Sequence, residues 1–287
     1  MRKISFIKMH GAGNDFIVID EIPGLDYVAL AKKVCNRHLG IGADGLLVLE
    51  HSAKHEHRMR IINSDGSEAE MCGNGARCMA VYITQKYAVV PEVFAMETLA
   101  GVVHASVDCE TASVQLSNPR DYRPNIEIKF TDPGLAGQGQ KMVGHFINTG
   151  VPHTIIFVHS LGEMDVSAMG RAIRNHRAFA PKGTNVDFVE LVKEGFVAVR
   201  TYERGVEDET MSCGTGSVAA ALVGYLQSQK KLLPEKGAAI KVVTKSGEVL
   251  EVTFDLDLKD EKPVITNVWL KGGGKMVCKG EYYYSEK

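Results

Sequence analysis

The stretch Asn63-Ser-Asp-Gly-Ser-Glu-Ala-Glu-Met-Cys72-Gly-Asn-Gly-Ala-Arg-Cys-Met-Ala80 decides how this chain is read. A polar turn leads to a cysteine, then Gly-Asn-Gly, then a segment from Ala76 with helical character. The spacing puts a thiol at the mouth of a helix, where the first backbone N–H groups lack intrahelical partners. Such a mouth carries partial positive charge, favours a thiolate and binds anions. A near copy, Met211-Ser-Cys213-Gly-Thr-Gly-Ser-Val-Ala-Ala-Ala221, recurs in the second half.

Outward from Cys72, the order of elements repeats. Short apolar runs at Ile4–Met9 and Phe16–Asp20 flank the turn formers Gly11-Ala-Gly-Asn14, and a helical pattern spans Leu25–His38. Strands are expected at Leu46–Leu49 and Arg58–Ile62. After a helix to about Tyr87, more are expected near Glu92–Glu97, Val102–Val107 and Ala112–Leu116. The proline-containing stretch Ser117-Asn-Pro-Arg-Asp-Tyr-Arg-Pro-Asn125 reads as a loop and as the domain boundary. Beyond it Phe6, Arg37, Gly45, Glu50 and Asn63 find counterparts in Phe146, Arg177, Asn185, Glu190 and Glu203, each 140 positions on, and Cys72 finds Cys213 at 141. This argues for duplication of a whole domain. The second copy continues with a helix from Gly214 to about Lys230, then strands near Ala239–Thr244, Val249–Leu256 and Pro263–Leu270. The tail from Met276 reads as a strand returning to the first domain. The expected division is therefore 1-119 plus 276-287 for the N-terminal domain and 120-275 for the C-terminal one.

Composition narrows the function. At 287 residues, 45% hydrophobic, 24% charged and a net charge of -2, the chain falls in the globular range. No electrostatic case exists for nucleic acid or an anionic membrane. The N-terminus reads as a strand without the apolar core of a signal peptide, and no apolar run reaches the ~20 residues of a membrane span. Six cysteines without a secretory signal are expected to be reduced thiols of a cytoplasmic protein.

Most of these thiols read as packing. Free cysteine is among the most buried residue types, and Cys35, Cys78, Cys109 and Cys278 are assigned to the interior on that ground. Cys72 and Cys213 escape it because they recur in one local setting. A zinc site is not expected: there is no Cys-x-x-Cys, and His51, His55 and His57 lie in a stretch read as a solvated turn. The letters of G-x-G-x-x-G at Gly40–Gly45 follow a helix and precede a strand, the reverse of the order in a dinucleotide fold.

Two thiols at two equivalent helix mouths suit proton exchange at one carbon. If the duplicated domains pack about a pseudo-two-fold axis, the thiols face each other across an interdomain cleft. One thiolate then removes a proton while the other thiol delivers one on the opposite face. A protease would need one nucleophile and a base instead. An amino-acid α-proton is very weakly acidic, so the carbanion needs electrostatic stabilisation from helix amides with water excluded. The amides of Gly73, Asn74, Gly214 and Thr215 are the candidate donors.

Four segments then carry a family resemblance: Lys8-Met-His-Gly-Ala-Gly-Asn14-Asp-Phe, the Asn63–Cys78 stretch, Pro181-Lys-Gly-Thr-Asn185-Val-Asp-Phe-Val, and Glu203-Arg204-Gly followed by Ser212-Cys213-Gly-Thr-Gly. Together they resemble the diaminopimelate epimerase family and extend over most of the chain. The resemblance implies an α/β (α+β) fold of two pseudo-symmetric domains, each a curled mixed sheet around a central helix. It implies interconversion of LL- and meso-diaminopimelate without a cofactor or metal, on the route to lysine and cell-wall peptide. By motif, Cys72 and Cys213 are the acid/base thiols. His153 and Glu203 tune them, and Asn14, Asn63, Asn185, Glu203 and Arg204 bind substrate with Gly73, Asn74, Gly214 and Thr215. The partner is a small molecule, with a homodimer left open. Gly45 stands where the family can carry Gln and Val151 where Asn often precedes Pro-His, which puts side-chain contacts to the distal end of the substrate in doubt. Proline racemases and hydroxyproline epimerases, the nearest alternative, tend to place His where this chain has Asn74. The phenazine-biosynthesis type of isomerase has a carboxylate in place of the first cysteine. A non-catalytic amino-acid-binding protein with structural or redox-sensing thiols is the alternative of another class.

Overall fold

A computed structural model describes residues 1–87, 90–130 and 141–285. The chain divides into two compact units, Met1–Gln115 with Lys271–Lys287, and Leu116–Leu270. Each combines a mixed sheet with helices, and among the described residues there are four α-helices.

In the first unit the strands Arg2–Gly11 and Asn14–Asp20 form a hairpin, and Lys275–Tyr284 pairs antiparallel with the first, Arg2 opposite Tyr284. Asn14–Asp20 runs parallel to Gly45–Ser52, which turns back into Glu56–Asn63. That strand pairs with Glu68–Ala69 and, in parallel, with Phe94–Thr98, which continues antiparallel into Gly101–Asp108 and Thr111–Gln115. The second unit repeats the order: Arg120–Lys129, Lys141–Asn148, Pro152–Phe157, then parallel to Asn185–Lys193, back into Phe196–Glu203, with Asp208–Thr210 and a parallel Glu235–Val243 beside it, and Val249–Lys259 after that.

One helix lies on each face of the first sheet. Helix α1 (Tyr27–Val34) buries Tyr27, Leu30, Ala31 and Val34, the i, i+3, i+4, i+7 stripe of a surface helix, against Ile17, Ile19, Leu46, Val48 and Ile62. Full burial of a leucine such as Leu30 stabilises by roughly 1.5–3 kcal/mol. It is shorter than the predicted Leu25–His38, because the Asp26 carboxylate caps Ala29 and the Asn36 side chain turns the backbone at His38 and Leu39. The opposite face holds α2 (Gly73–Lys86). The second unit has α3 (Val166–Arg174), capped by Asp165, and α4 (Gly214–Ser228). Twelve of the fifteen residues of α4 are buried, so it is apolar all round and enclosed by strands rather than amphipathic.

Strand registers refine the duplication. Leu46 opposite Ile62 is matched by Val186 opposite Tyr202, both 140 apart. In the preceding hairpin the offset shrinks. Phe16 pairs with Gly45 as His153 pairs with Asn185, and Met9 with Phe16 as Ile147 with His153. Phe6 and Phe146, equal by letter, are therefore not equivalent. The first hairpin closes through Ala12-Gly13, both at positive φ, and the second through the longer Thr149-Gly150-Val151.

Three further expectations change. The stretch 117–125 is not a loop throughout, because Arg120–Lys129 is a strand paired with Lys141–Asn148. Asp121 and Asn125 at positive φ and two register shifts opposite them make room for Pro124, which cannot donate to the ladder. Cys35 and Cys78 are buried, but Cys109 and Cys278 are exposed, the former at positive φ in a two-residue hairpin turn. His51 and His57 face each other across paired strands rather than sitting in an open turn. Among the described residues no helix is long and apolar enough to cross a membrane.

Candidate active site

The site residues fall into two sets, one in each unit, built on the same backbone device. Cys72 is extended at φ -143° and caps α2, its sulfur accepting from the Gly75 N–H at 3.4 Å. Cys213, extended at φ -111°, caps α4 and accepts from the Gly216 N–H at 3.4 Å. Each sulfur thus receives one of the orphan donors of a helix first turn, where the dipole also favours negative charge. Beside the caps the first-turn residues Gly73 and Asn74, and Gly214 and Thr215, carry the remaining N–H groups that open each helix.

Around Cys72 the partners are amides. The thiol donates to Asn14 Oδ1 at 3.7 Å, and the same oxygen accepts from Asn74 Nδ2 at 3.3 Å. Asn14 Nδ2 donates to Asp44 at 2.6 Å. Behind Asn74 lies Arg77, fully buried in the first half of α2, donating to Asn74 Oδ1 at 2.9 Å and to the Gly73 and Gly273 carbonyls. Asn63 lies apart from this set by its bonds: it is exposed and donates to Ser67 Oγ within the turn before Cys72. Gly45 is buried with Phe16 beside it, and a Cβ there would stand 3.0 Å from the Ile62 carbonyl.

Around Cys213 the partners titrate. Its sulfur lies 3.4 Å from Thr215 Oγ1, which is 2.9 Å from His153 Nε2, while His153 Nδ1 is 2.7 Å from Asp187. A carboxylate only accepts, so Nδ1 carries the hydrogen. Nε2 is then free to accept from the Thr215 hydroxyl, which in turn can accept the Cys213 S–H. His153 and Asp187 are both fully buried. Asp187 takes a second bond from Thr201 Oγ1 at 2.8 Å. Asn185 directs its Nδ2 towards Pro152 O and His153 Nε2, because its Oδ1 accepts the Arg204 N–H at 2.7 Å. The Arg204 guanidinium bonds the Lys182 carbonyl, so in this set the residue acts through its backbone. Glu203 accepts from Thr210 Oγ1, and the single hydrogen of the Cys213 thiol can go to Glu203 or to Thr215.

Burial, followed by the Glu203 and Asp187 carboxylates, pushes the Cys213 thiol well above its ordinary value. Burial likewise raises the Glu203 carboxyl, against the lowering effect of its Thr210 bond. Cys213 is therefore protonated at neutral pH, a hydrogen donor waiting for a base.

Asp187, Arg77 and Asp44 were not singled out from sequence. Their letters carry little signal: Asp187 sits between Val186 and Phe188 as a solvent-facing residue of an alternating strand would, and Arg77 reads as one polar residue among several in its helix. Among the described residues no group of three or more His, Cys, Asp and Glu side chains is arranged to hold a metal.

Comparison with known proteins shows the family. The family model described as diaminopimelate epimerase matches residues 6–120 and 145–265. The chain belongs to the diaminopimelate epimerase family. Relatives named diaminopimelate epimerase include one from Aquifex aeolicus, 42% identical over 271 residues, covering 90% of this chain and 92% of the relative. Another, from Archaeoglobus fulgidus, is 42% identical over 265 residues, covering 88% and 91%. Among solved structures, a phenazine biosynthesis protein from Bacillus anthracis superposes with a TM-score of 0.73 at 15% identity, over 99% of this chain and 100% of that one. A hydroxyproline epimerase from Agrobacterium vitis gives 0.69 at 15%, over 98% and 92%. At that identity the two show the duplicated fold alone. Membership of the diaminopimelate epimerase family carries the reaction class: an isomerase acting as an epimerase.

Proposed function

We propose that this chain interconverts LL- and meso-2,6-diaminopimelate, in lysine and peptidoglycan precursor biosynthesis, by a cofactor-independent exchange between two thiols. The observation that carries the reading is the matched pair of helix caps, Cys72 and Cys213, each sulfur 3.4 Å from a first-turn amide. In one direction one sulfur, as thiolate, takes the α-proton and the other, as thiol, supplies the replacement on the opposite face. In the reverse direction the roles exchange, and for this both sulfurs must reach one substrate carbon. The N–H groups of Gly73, Asn74, Gly214 and Thr215 at the two helix mouths would take the α-carboxylate, where helix dipoles stabilise the negative charge that develops on deprotonation. Asn14 and His153 with Thr215 would hold the resting thiols in place, and Glu203 beside Cys213 would accept its proton. Asn14, Asn63, Asn185, Glu203 and Arg204 complete the proposed substrate contacts.

Incubation of the reduced protein with LL-diaminopimelate in heavy water should place deuterium at one α-carbon without added pyridoxal phosphate. No incorporation would overturn the reading. Faster exchange on free proline would transfer the chain to the proline-acting reading. Cys72→Ala and Cys213→Ala should each lower epimerisation by at least ~1000-fold, the scale of losing an essential acid or base. A cytoplasmic location and a homodimer belong to the same proposal. Sedimentation at the single-chain mass of 31.3 kDa would remove the dimer, and Cys72 or Cys213 isolated from cells in disulfide form would count against the location.

A further inference from the structure

The amide pair beside Cys72 is constrained at both ends. An asparagine side chain can present either its oxygen or its NH2, and its neighbours decide which. Asn14 contacts the Asp44 carboxylate at 2.6 Å, an acceptor only, so its NH2 must point there and its oxygen towards Cys72. Asn74 contacts the Arg77 guanidinium at 2.9 Å, a donor only, so its oxygen points to Arg77 and its NH2 to Asn14. The two constraints agree, giving one direction of donation: Arg77 to Asn74, Asn74 to Asn14, Asn14 to Asp44.

Asp44 is itself held. Arg37 donates to it at 2.8 Å and to Asp15 at 2.9 Å, the Asp15 N–H donates to it at 3.1 Å, and Lys8 pairs with Asp15 at 2.9 Å. Asp44 and Arg77 are thus charged side chains bonded into the pair, with Lys8, Asp15 and Arg37 behind Asp44.

We propose that Asp44 and Arg77 are positioning residues that lock Asn14 with its oxygen facing the Cys72 sulfur. The lock holds Cys72 as a hydrogen-donating thiol and denies its thiolate a donor from Asn14. The inference rests on Cys72 as a proton carrier, but its test reads the thiol and not turnover, so the two can fail separately. A released Asn14 could rotate and offer its NH2, a bond that favours the thiolate.

The test is the pH profile of Cys72 alkylation by iodoacetamide in the full-length reduced protein, read on the Cys72 peptide by mass spectrometry. Asp44→Asn, nearly isosteric, should lower the midpoint by about one pH unit, and Asp44→Glu, which keeps an acceptor-only group, should restore it. In an Asn14→Ala background Asp44→Asn should leave the midpoint in place. An equal fall in both backgrounds would show the charge of Asp44 acting through space and overturn the lock, as would no fall in either. Arg77→Lys, which keeps the charge and loses the fixed fork, should give a smaller fall that also needs Asn14. An unchanged Arg77→Lys midpoint removes Arg77 from the lock.

Discussion

The two cysteine caps share a backbone device and differ in what surrounds the sulfur. Phe16 occupies the register position of His153, Leu47 that of Asp187, and Asn74 stands two residues after its cysteine, as Thr215 does. One thiol therefore ends on a chain of amides, which hold a fixed orientation but do not pass protons. The other ends on hydroxyl, imidazole and carboxylate, which can. Duplication supplied the geometry twice, and substitution of a few side chains made the halves electrostatically unlike.

The largest expected consequence follows from swapping one of these positions. Asp187→Leu copies Leu47 into the second unit and leaves His153 Nδ1 and Thr201 Oγ1 buried without their acceptor. Breaking a buried pair in this way should cost about 3–5 kcal/mol. A urea midpoint within error of the native chain would mean that the buried pair adds nothing to the second unit. A smaller contrast concerns the glycines at the helix mouths. A Cβ on Gly216 would stand 2.5 Å from Asp187 Oδ1 and 3.1 Å from Thr201 Oγ1, whereas one on Gly75 meets Leu47 at 3.2 Å and Phe16 at 3.6 Å. Gly216→Ala should cost about 1–3 kcal/mol by displacing buried hydrogen bonds, while Gly75→Ala should stay within about 1 kcal/mol of native. Equal urea midpoints for the two variants would erase the distinction.

The thiols themselves sharpen the comparison next. With its value raised by burial and by Glu203 and Asp187, Cys213 should alkylate only above pH 9.0, the ordinary thiol value. Glu203→Gln removes the larger of the two carboxylate effects and should lower that midpoint by about one unit, or ~1.4 kcal/mol. The same shift has a stability sign. Below pH 9.0 folded and unfolded thiols are both protonated and the contribution is intact. As pH rises further the unfolded chain ionises first, and stability falls until the folded thiol also titrates. A Cys213→Ser variant should therefore show a shallower alkaline loss of stability.

The sequence made the caps legible because Cys-Gly-x-Gly recurs before two apolar helices, and the strands legible because their apolar runs are bounded by turn formers. It hid the groups that make the halves different. Asp187 and His153 are 34 residues apart, and Arg77 meets Gly273 across 196, so nothing local announces either contact. A single charged letter in a strand or helix reads as solvated until its partner is known. Letter matching also misplaced the first hairpin, since Phe6 and Phe146 coincide in spacing but not in register, and turn length decides register. Cys109 and Cys278 were read as interior from residue type alone, while a hairpin turn and an exposed strand face carry them to the surface.

The weakest contrast lies in one ion pair preserved in both copies. Arg60 forks onto Glu68 at 2.7 and 3.0 Å, and Arg200 onto Glu209 at 2.6 and 2.9 Å. Their remaining donors diverge. Arg60 reaches a second carboxylate, Glu50, at 3.2 Å, while Arg200 reaches the Leu161 and Met164 carbonyls at 2.9 Å each. Each Arg→Ala change should cost about 1 kcal/mol in dilute buffer, as partly exposed bidentate pairs do. Salt screens attraction between charges far more than a bond to a neutral carbonyl. The Arg60→Ala cost should therefore shrink at high ionic strength while much of the Arg200→Ala cost survives. Parallel loss of both with salt would mean that the carbonyl bonds contribute little, and that at this position the two copies have stayed alike.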